Sequence, residues 1–190
     1  MIRRLQTRAH LWGGRMVATS QQRLLAWDRS NTLWVLDSLT GDPVTSVACN
    51  AERHWGNSGI YVTVDGSKAV LLFYPNPVIV DIEAGTTINL TLPAAICATM
   101  SPDSTLLITG SQLGDLQMWK AGNGELVRGL QTGHKVSAVW CAGDTVVAGL
   151  QSGEVIQWRF DLPKQNPQKT NVDHFVQHTT HVRKEHRHPT

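Results

Sequence analysis

No apolar run in this 190-residue sequence approaches the roughly 20 residues that a helix needs to cross a bilayer. Cysteine is scarce. Cys49, Cys97 and Cys141 each sit inside an apolar run, and an odd, dispersed set is a poor disulfide framework; it suits small core residues in a reducing compartment. Charge of one sign is also lacking: 17 Lys and Arg face 15 Asp and Glu, for a net +2, and the hydrophobic fraction is 41%. That balance excludes wholesale disorder. The motifs of common chemistries are missing too. There is no G-x-S-x-G, no P-loop, no H-E-x-x-H and no Cys-x-x-Cys, so nothing in the pattern points to an activated nucleophile, a phosphate cradle or a bound zinc.

The two ends lack what the middle has. No acid precedes Asp28, yet Arg3, Arg4, Arg8, Arg15 and Arg23 fall in or beside that stretch. An Arg-rich, acid-poor start is also the composition of a mitochondrial transit peptide. From Pro163 onward the chain is rich in Gln, Lys and His and nearly free of apolar residues, so residues 161–190 are expected to form a disordered tail.

What is present is a repeat. LWVLD, VIVD, LQMWK and VIQWR end at Asp37, Asp81, Lys120 and Arg159, at intervals of 44, 39 and 39 residues. Four residues later stand Gly41, Gly85 and Gly124; the fourth copy has Pro163. A period near 40 is a signature of propeller blades of four short strands. Within each copy, apolar runs of four to seven residues alternate with turns of Gly, Asp, Ser, Pro and Asn, as in AAICATM, SPDST, LLITG, SQLGD, LQMWK, AGNGE and LVRGL. No run carries a 3.6-residue period long enough for a helix. The expected fold is therefore all-β, a propeller or partial propeller of about four four-stranded antiparallel units over residues 1–160. In the fourth copy, VSAVWC, TVVAG and EVIQWRF supply only three strands.

Ser101-Pro102-Asp103 before a strand, Gly110-Ser111, Met118-Trp119, Trp158 and the pair Gly133-His134 give the chain a resemblance to the WD-repeat β-propeller family. In that family a Gly-His pair opens a repeat and a Trp-Asp pair closes its third strand. Here Lys120 and Arg159 stand after the Trp, and the turns SQLGD and LQSG lack the Asp that would complete a network with the His. Asp37, Asp81, Trp119, Trp158, Gly133 and His134 are thus the residues expected to carry the repeat, with His134 in a turn with a local partner. LWVLDSLTGDPV also resembles the turn of quinoprotein propellers through Asp37, Thr40 and Gly41, but the docking Trp of that family is missing, and an ordinary turn explains Gly41 through its tolerance of positive φ.

Leu5-Gln6-Thr7 repeats Leu130-Gln131-Thr132. Ile2 to Thr7 therefore reads as an outer strand that would complete the fourth unit and close a four-unit ring. The alternative is an open arc, completed by another copy or a partner, or a fragment of a larger ring. The blade reading of this segment competes with the transit peptide.

The scattered acids, Asp65, Asp103, Asp115, Asp144, Glu125 and Glu154, fall in turns, where carboxylates bond nearby backbone. Trp119 and Trp158 occupy matching positions and are expected in the core, as are Trp27, Trp34 and Trp140 within strands. Trp55 differs: Arg53, His54 and Trp55 lie in the longer connection between the first two copies, and Trp and Arg are enriched at binding hot spots. In the tail, His174, His178 and His181 have a spacing that suits a divalent metal if the segment were helical, though a flexible weakly basic tail is the simpler expectation. The short Arg183, Lys184 and Arg187 run holds Glu185 and gives little ground for nucleic-acid binding.

The resemblance implies a non-catalytic interaction scaffold that binds other proteins through its turns, with Arg53, His54, Trp55 and His134 as contact residues, no cofactor, no metal and no membrane. A small propeller enzyme of hydrolase or quinoprotein type is the alternative. The implied location is the cytoplasm, with the nucleus, or the mitochondrion by the Arg-rich start, as alternatives.

Overall fold

A computed structural model of the chain describes residues 17–18, 22–28, 30–49, 59–73 and 75–160. Among the described residues there are fifteen strands and no helix. They are β1 (Val17–Ala18), β2 (Arg23–Trp27), β3 (Thr32–Asp37) and β4 (Pro43–Ala48); β5 (Gly59–Val62), β6 (Lys68–Leu72), β7 (Val78–Asp81) and β8 (Thr86–Asn89); β9 (Ala95–Met100), β10 (Leu106–Ser111), β11 (Asp115–Lys120) and β12 (Leu126–Gln131); and β13 (Val136–Ala142), β14 (Thr145–Leu150) and β15 (Val155–Arg159).

Each group is a separate antiparallel sheet, its strands hydrogen-bonded in chain order. Among the described residues the first three sheets have four strands and the fourth has three, the three that VSAVWC, TVVAG and EVIQWRF supply. The result is all-β and propeller-like: four antiparallel meanders in succession. Tight turns make this possible. At the turn after the third strand of each of the first three sheets, Gly41, Gly85 and Gly124 take φ values of +80°, +66° and +71°, where a side chain would be strained.

Both faces of the inner sheets are apolar, and the core consists of three layers between sheets. Leu25, Leu33 and Val35 of the first sheet meet Ala69, Leu71, Val78 and Val80 of the second. Val70, Leu72 and Ile79 meet Ala98, Leu107 and Trp119 of the third. Ile108, Leu116 and Met118 meet Val136, Val146, Ala148 and Trp158 of the fourth. The strict period of two sends Leu107 to one neighbour and Ile108 to the other, so a strand buried between two sheets, such as β10, is apolar at consecutive positions. The first strands also pack on one another, β1 on β5, β5 on β9 and β9 on β13. The fit is tight at Gly110 on β10, where a Cβ would stand 2.5 Å from Val136 Cγ1 and 2.7 Å from Cys97 Sγ.

The tryptophans divide. Trp119 and Trp158 are buried as expected. Trp27 is half-buried and packs on Phe73 with ring centroids 4.6 Å apart, and Trp34 is half-buried. The core expectation fails for Trp140, which is 58% exposed. The cause is a register shift between Val136 and Ala138 in the β13–β14 pairing. A bulge residue inverts the alternation beyond it, so Val139 and Cys141 face the core and Trp140 faces away.

Ile2 to Thr7, the Arg53–Trp55 connection and the tail 161–190, with His174, His178 and His181, lie outside the described residues. No helix among the described residues is long and apolar enough to cross a membrane. Cys49, Cys97 and Cys141 are free thiols and buried.

Candidate functional site

In a meander, alternate turns lie at opposite ends of the sheet. The β10–β11 turn, the β12–β13 connection and the β14–β15 turn therefore share one end. His134 sits here, in a cluster built from the residues 111–115 and 131–135. Thr132 is its hub. Its N–H and its hydroxyl both donate to the carbonyl of Gly114, each at 2.9 Å, and the hydroxyl lies 2.7 Å from the carbonyl of His134. The His134 carbonyl is thus tied into the cluster through its backbone. Gly114 has φ +92°, and a Cβ there would stand 2.9 Å from Gln131 Oε1 and 3.0 Å from the His134 carbonyl. Only glycine fits this contact without displacement.

Side chains lock the same turn from within. Ser111 Oγ accepts from the N–H groups of Leu113 and Asp115 at 3.1 and 3.0 Å and donates to Asp115 Oδ2 at 2.8 Å. Gln131 Nε2 reaches Asp115 Oδ1 at 3.4 Å. The fixed loop then presents Leu113, 64% exposed, beside exposed Gln112, Gly133 and His134. An apolar side chain held in water on a turn locked by hydrogen bonds can bury area against a protein partner at little cost in loop ordering. Leu113 was legible in the sequence as the one large apolar residue in the polar turn SQLGD, and the repeat-based reading passed over it.

The opposite end carries Asp103, Asp81 and Asp37. Asp103 accepts from the Ser101 hydroxyl, and from the N–H and hydroxyl of Thr105 at 3.1 and 2.8 Å. The Ser101 hydrogen bond, followed by those of Thr105, holds its carboxyl below the ordinary 3.8. Ser101 Oγ in turn accepts from Leu106 N at 2.9 Å. Thr63 and Lys68 repeat this contact in the second sheet at 3.0 Å. Asp81 is held low chiefly by the Lys68 ammonium, 2.6 Å away, and by the N–H of Ala84. Asp37 is held low by the N–H groups of Thr40 and Leu39. These acids are occupied in turn geometry, as the sequence suggested. No group of three or more His, Cys, Asp or Glu among the described residues is placed to hold a metal.

Two polar links were not anticipated. Trp119 Nε1 donates to Thr109 Oγ1 at 2.8 Å, both residues buried in the third sheet. Asp28, itself buried, accepts from Ser30 N at 2.8 Å, Thr32 N at 3.0 Å and Trp34 Nε1 at 2.7 Å. Asp28 opens the β2–β3 turn as Ser111 opens the β10–β11 turn, and each takes the backbone N–H groups two and four residues ahead.

No family model and no curated protein matches the chain. Among solved structures it is similar to the crystal structure of the computationally designed Ika4 protein, at 20% sequence identity and a TM-score of 0.61, over 85% of this chain and 100% of that one. A likeness at that identity speaks for the fold alone.

Proposed function

We propose that the chain is a protein-interaction module, a WD-repeat-like β-propeller or part-propeller that binds other proteins through its turns and performs no reaction. The observation that carries this reading is the cluster around Thr132, which holds exposed Leu113 and His134 on a turn locked by hydrogen bonds. Stacked sheets form a stiff frame, and turns on a stiff frame can vary in sequence while keeping their shape. Arg53, His54 and Trp55 supply a second contact. Other proteins are the partners, rather than nucleic acid or membrane. Three buried free thiols favour a reducing compartment, the cytoplasm first.

The test is capture of partners from an extract of the source cells by the immobilised full chain, compared with Leu113→Asp and His134→Ala. Both residues are exposed, so melting should stay within about 0.5 kcal/mol of wild type. Loss of the same captured proteins in both variants supports the reading. Capture that both variants leave unchanged removes this turn cluster from the function. Trp55→Ala tests the second contact separately.

A further inference from the structure

Equivalent positions can be followed through all four sheets. On the side that packs on the next sheet, the second strand carries Leu25, Val70, Ile108 and Val147, and the third strand carries Val35, Ile79, Met118 and Gln157. The first three members of each series are at most 4% exposed. Val147 is half-buried and Gln157 exposed, and on the same face Trp140 and Val155 are 58% and 59% exposed. On the side that packs on the previous sheet, Ala69, Leu107 and Val146 are fully buried, while their first-sheet equivalent Leu24 is only half-buried. Burial is thus incomplete at the two ends of the stack: on the fourth sheet at Val147, Gln157, Trp140 and Val155, and on the first at Leu24 and Trp34, although Ala26 and Leu36 beside them are buried.

These two faces would cover each other if the chain closed on itself, and Trp140 and Val155 would then be dry. We propose instead that they are the two halves of one interface between two copies of this chain, with the fourth sheet of each copy packed on the first sheet of the other. This rests on the propeller reading above. The fourth-sheet face has the register that contacts a following sheet, and the first-sheet face has the register that contacts a preceding one. A second copy is therefore the occupant whose stereochemistry matches. Two copies give two identical contacts and a closed two-fold assembly. Four sheets per copy make eight, the upper end of the usual range of about four to eight blades; a third copy would exceed it. On the first sheet Ala26 and Leu36 are already buried, so the side chains that gain cover there are Leu24 and Trp34. Asp28 fixes the Trp34 indole by its Nε1 at 2.7 Å, which presents a rigid ring to the partner.

Light scattering on the full chain, from low to high micromolar concentration, should give about twice the 20.9 kDa of one chain. Trp140→Glu and Leu24→Glu should each fall to the single-chain mass. Circular dichroism checks that both remain folded; should either fail, Val155→Lys replaces the fourth-sheet variant and Trp34→Ala the first-sheet one. Mixing the two variants leaves one contact intact, the unaltered fourth sheet of one on the unaltered first sheet of the other, and should restore the doubled mass. A wild-type monomer at every concentration overturns the proposal. So does a mixture that stays monomeric, because pairing of like faces is not rescued this way. A complementing dimer seen as a closed ring of eight sheets by electron microscopy supports it, and one seen as two separate arcs overturns it. Partner capture through Leu113 and His134 reads different residues in a different assay, so the interaction reading can fail or stand independently.

Discussion

Thr109 and Trp119 are joined across β10 and β11 by a hydrogen bond of 2.8 Å from the indole Nε1 to the threonine Oγ1, in a place where both residues are buried. Thr109 pairs with Gln117, and Trp119 with Leu107, so the bond runs diagonally over one face of the sheet. The fourth sheet places Ala148 where the third has Thr109, with Trp158 following in register. The two tryptophans fill matching positions in the stack, and this threonine link belongs to the third sheet.

Thr109→Val keeps the shape of the side chain and removes the acceptor. The buried indole N–H then loses its partner, a cost of about 1–3 kcal/mol. A denaturant titration should show a lower midpoint with an unchanged slope, and Thr109→Ser should recover most of the loss. Equal midpoints for the valine variant and wild type would show that the bond adds nothing.

Asp28 holds its turn with one carboxylate and three donors. Asp28→Ala strands Ser30 N, Thr32 N and Trp34 Nε1 and should destabilise the chain by about 1–3 kcal/mol. Asp28→Asn keeps one acceptor oxygen and should lie between. The change should also appear in tryptophan emission, because the Trp34 indole loses its anchor. Wild-type melting in the alanine variant would remove Asp28 from the account of this sheet.

Much of this was legible in the sequence, and the limits have physical causes. The glycines at 41, 85 and 124 marked the turns because only a residue free to take positive φ sits there comfortably. The apolar runs marked the strands, and the absence of an apolar run after Phe160 marked the fourth sheet as three-stranded among the described residues. Trp140 was misplaced because composition carries no sign of a bulge. One extra residue at Ser137 inverts every later side chain on β13. The indole bonds of Asp28 and Thr109 were passed over because Trp34 and Trp119 come from the neighbouring strand, at a distance that pattern reading does not measure. Leu113 stood out as the one large apolar residue in the polar turn SQLGD, but its exposure to water belongs to the fold and is not written in the sequence.

Acid should weaken the fold. The carboxyls of Asp103 and Asp81 lie below the ordinary 3.8, Asp103 chiefly through the Ser101 hydroxyl and Asp81 chiefly through Lys68. A group lowered in the folded state contributes stability that is complete above its unfolded value and is lost as pH falls through its folded one. The melting temperature should therefore be insensitive to these groups from neutral pH down to about 5 and fall below about 4. Asp103→Asn should flatten that acid limb. An acid limb of the same steepness in the variant would exclude Asp103 as a contributor.

The thiols should resist reagents in the folded chain. Burial pushes Cys49 and Cys97 up to about 11 and raises Cys141 as well, and the thiolate is the reactive form. Titration with a chromogenic disulfide at neutral pH should give little release from the native protein and three equivalents in denaturant, matching the three cysteines of the sequence. Rapid native release of one equivalent would place that thiol at an opening of the stack.

Gly110→Ala tests how tightly the third and fourth sheets are fitted. The added methyl would stand 2.5 Å from Val136 Cγ1, 2.9 Å from Val136 Cβ and 2.7 Å from Cys97 Sγ. Val136 is fully buried. Overpacking of this kind costs about 1–3 kcal/mol. Val136→Ala removes Cγ1, the nearest of the three atoms in the way, so the double variant should be more stable than the sum of the two single losses implies. Close neighbours depart from additivity in this manner, by about 0.5–3 kcal/mol. Denaturant titrations of the four proteins give that coupling directly. Simple additivity would mean that the sheets separate to admit the methyl, and that the fit at Gly110 does not set the spacing between them.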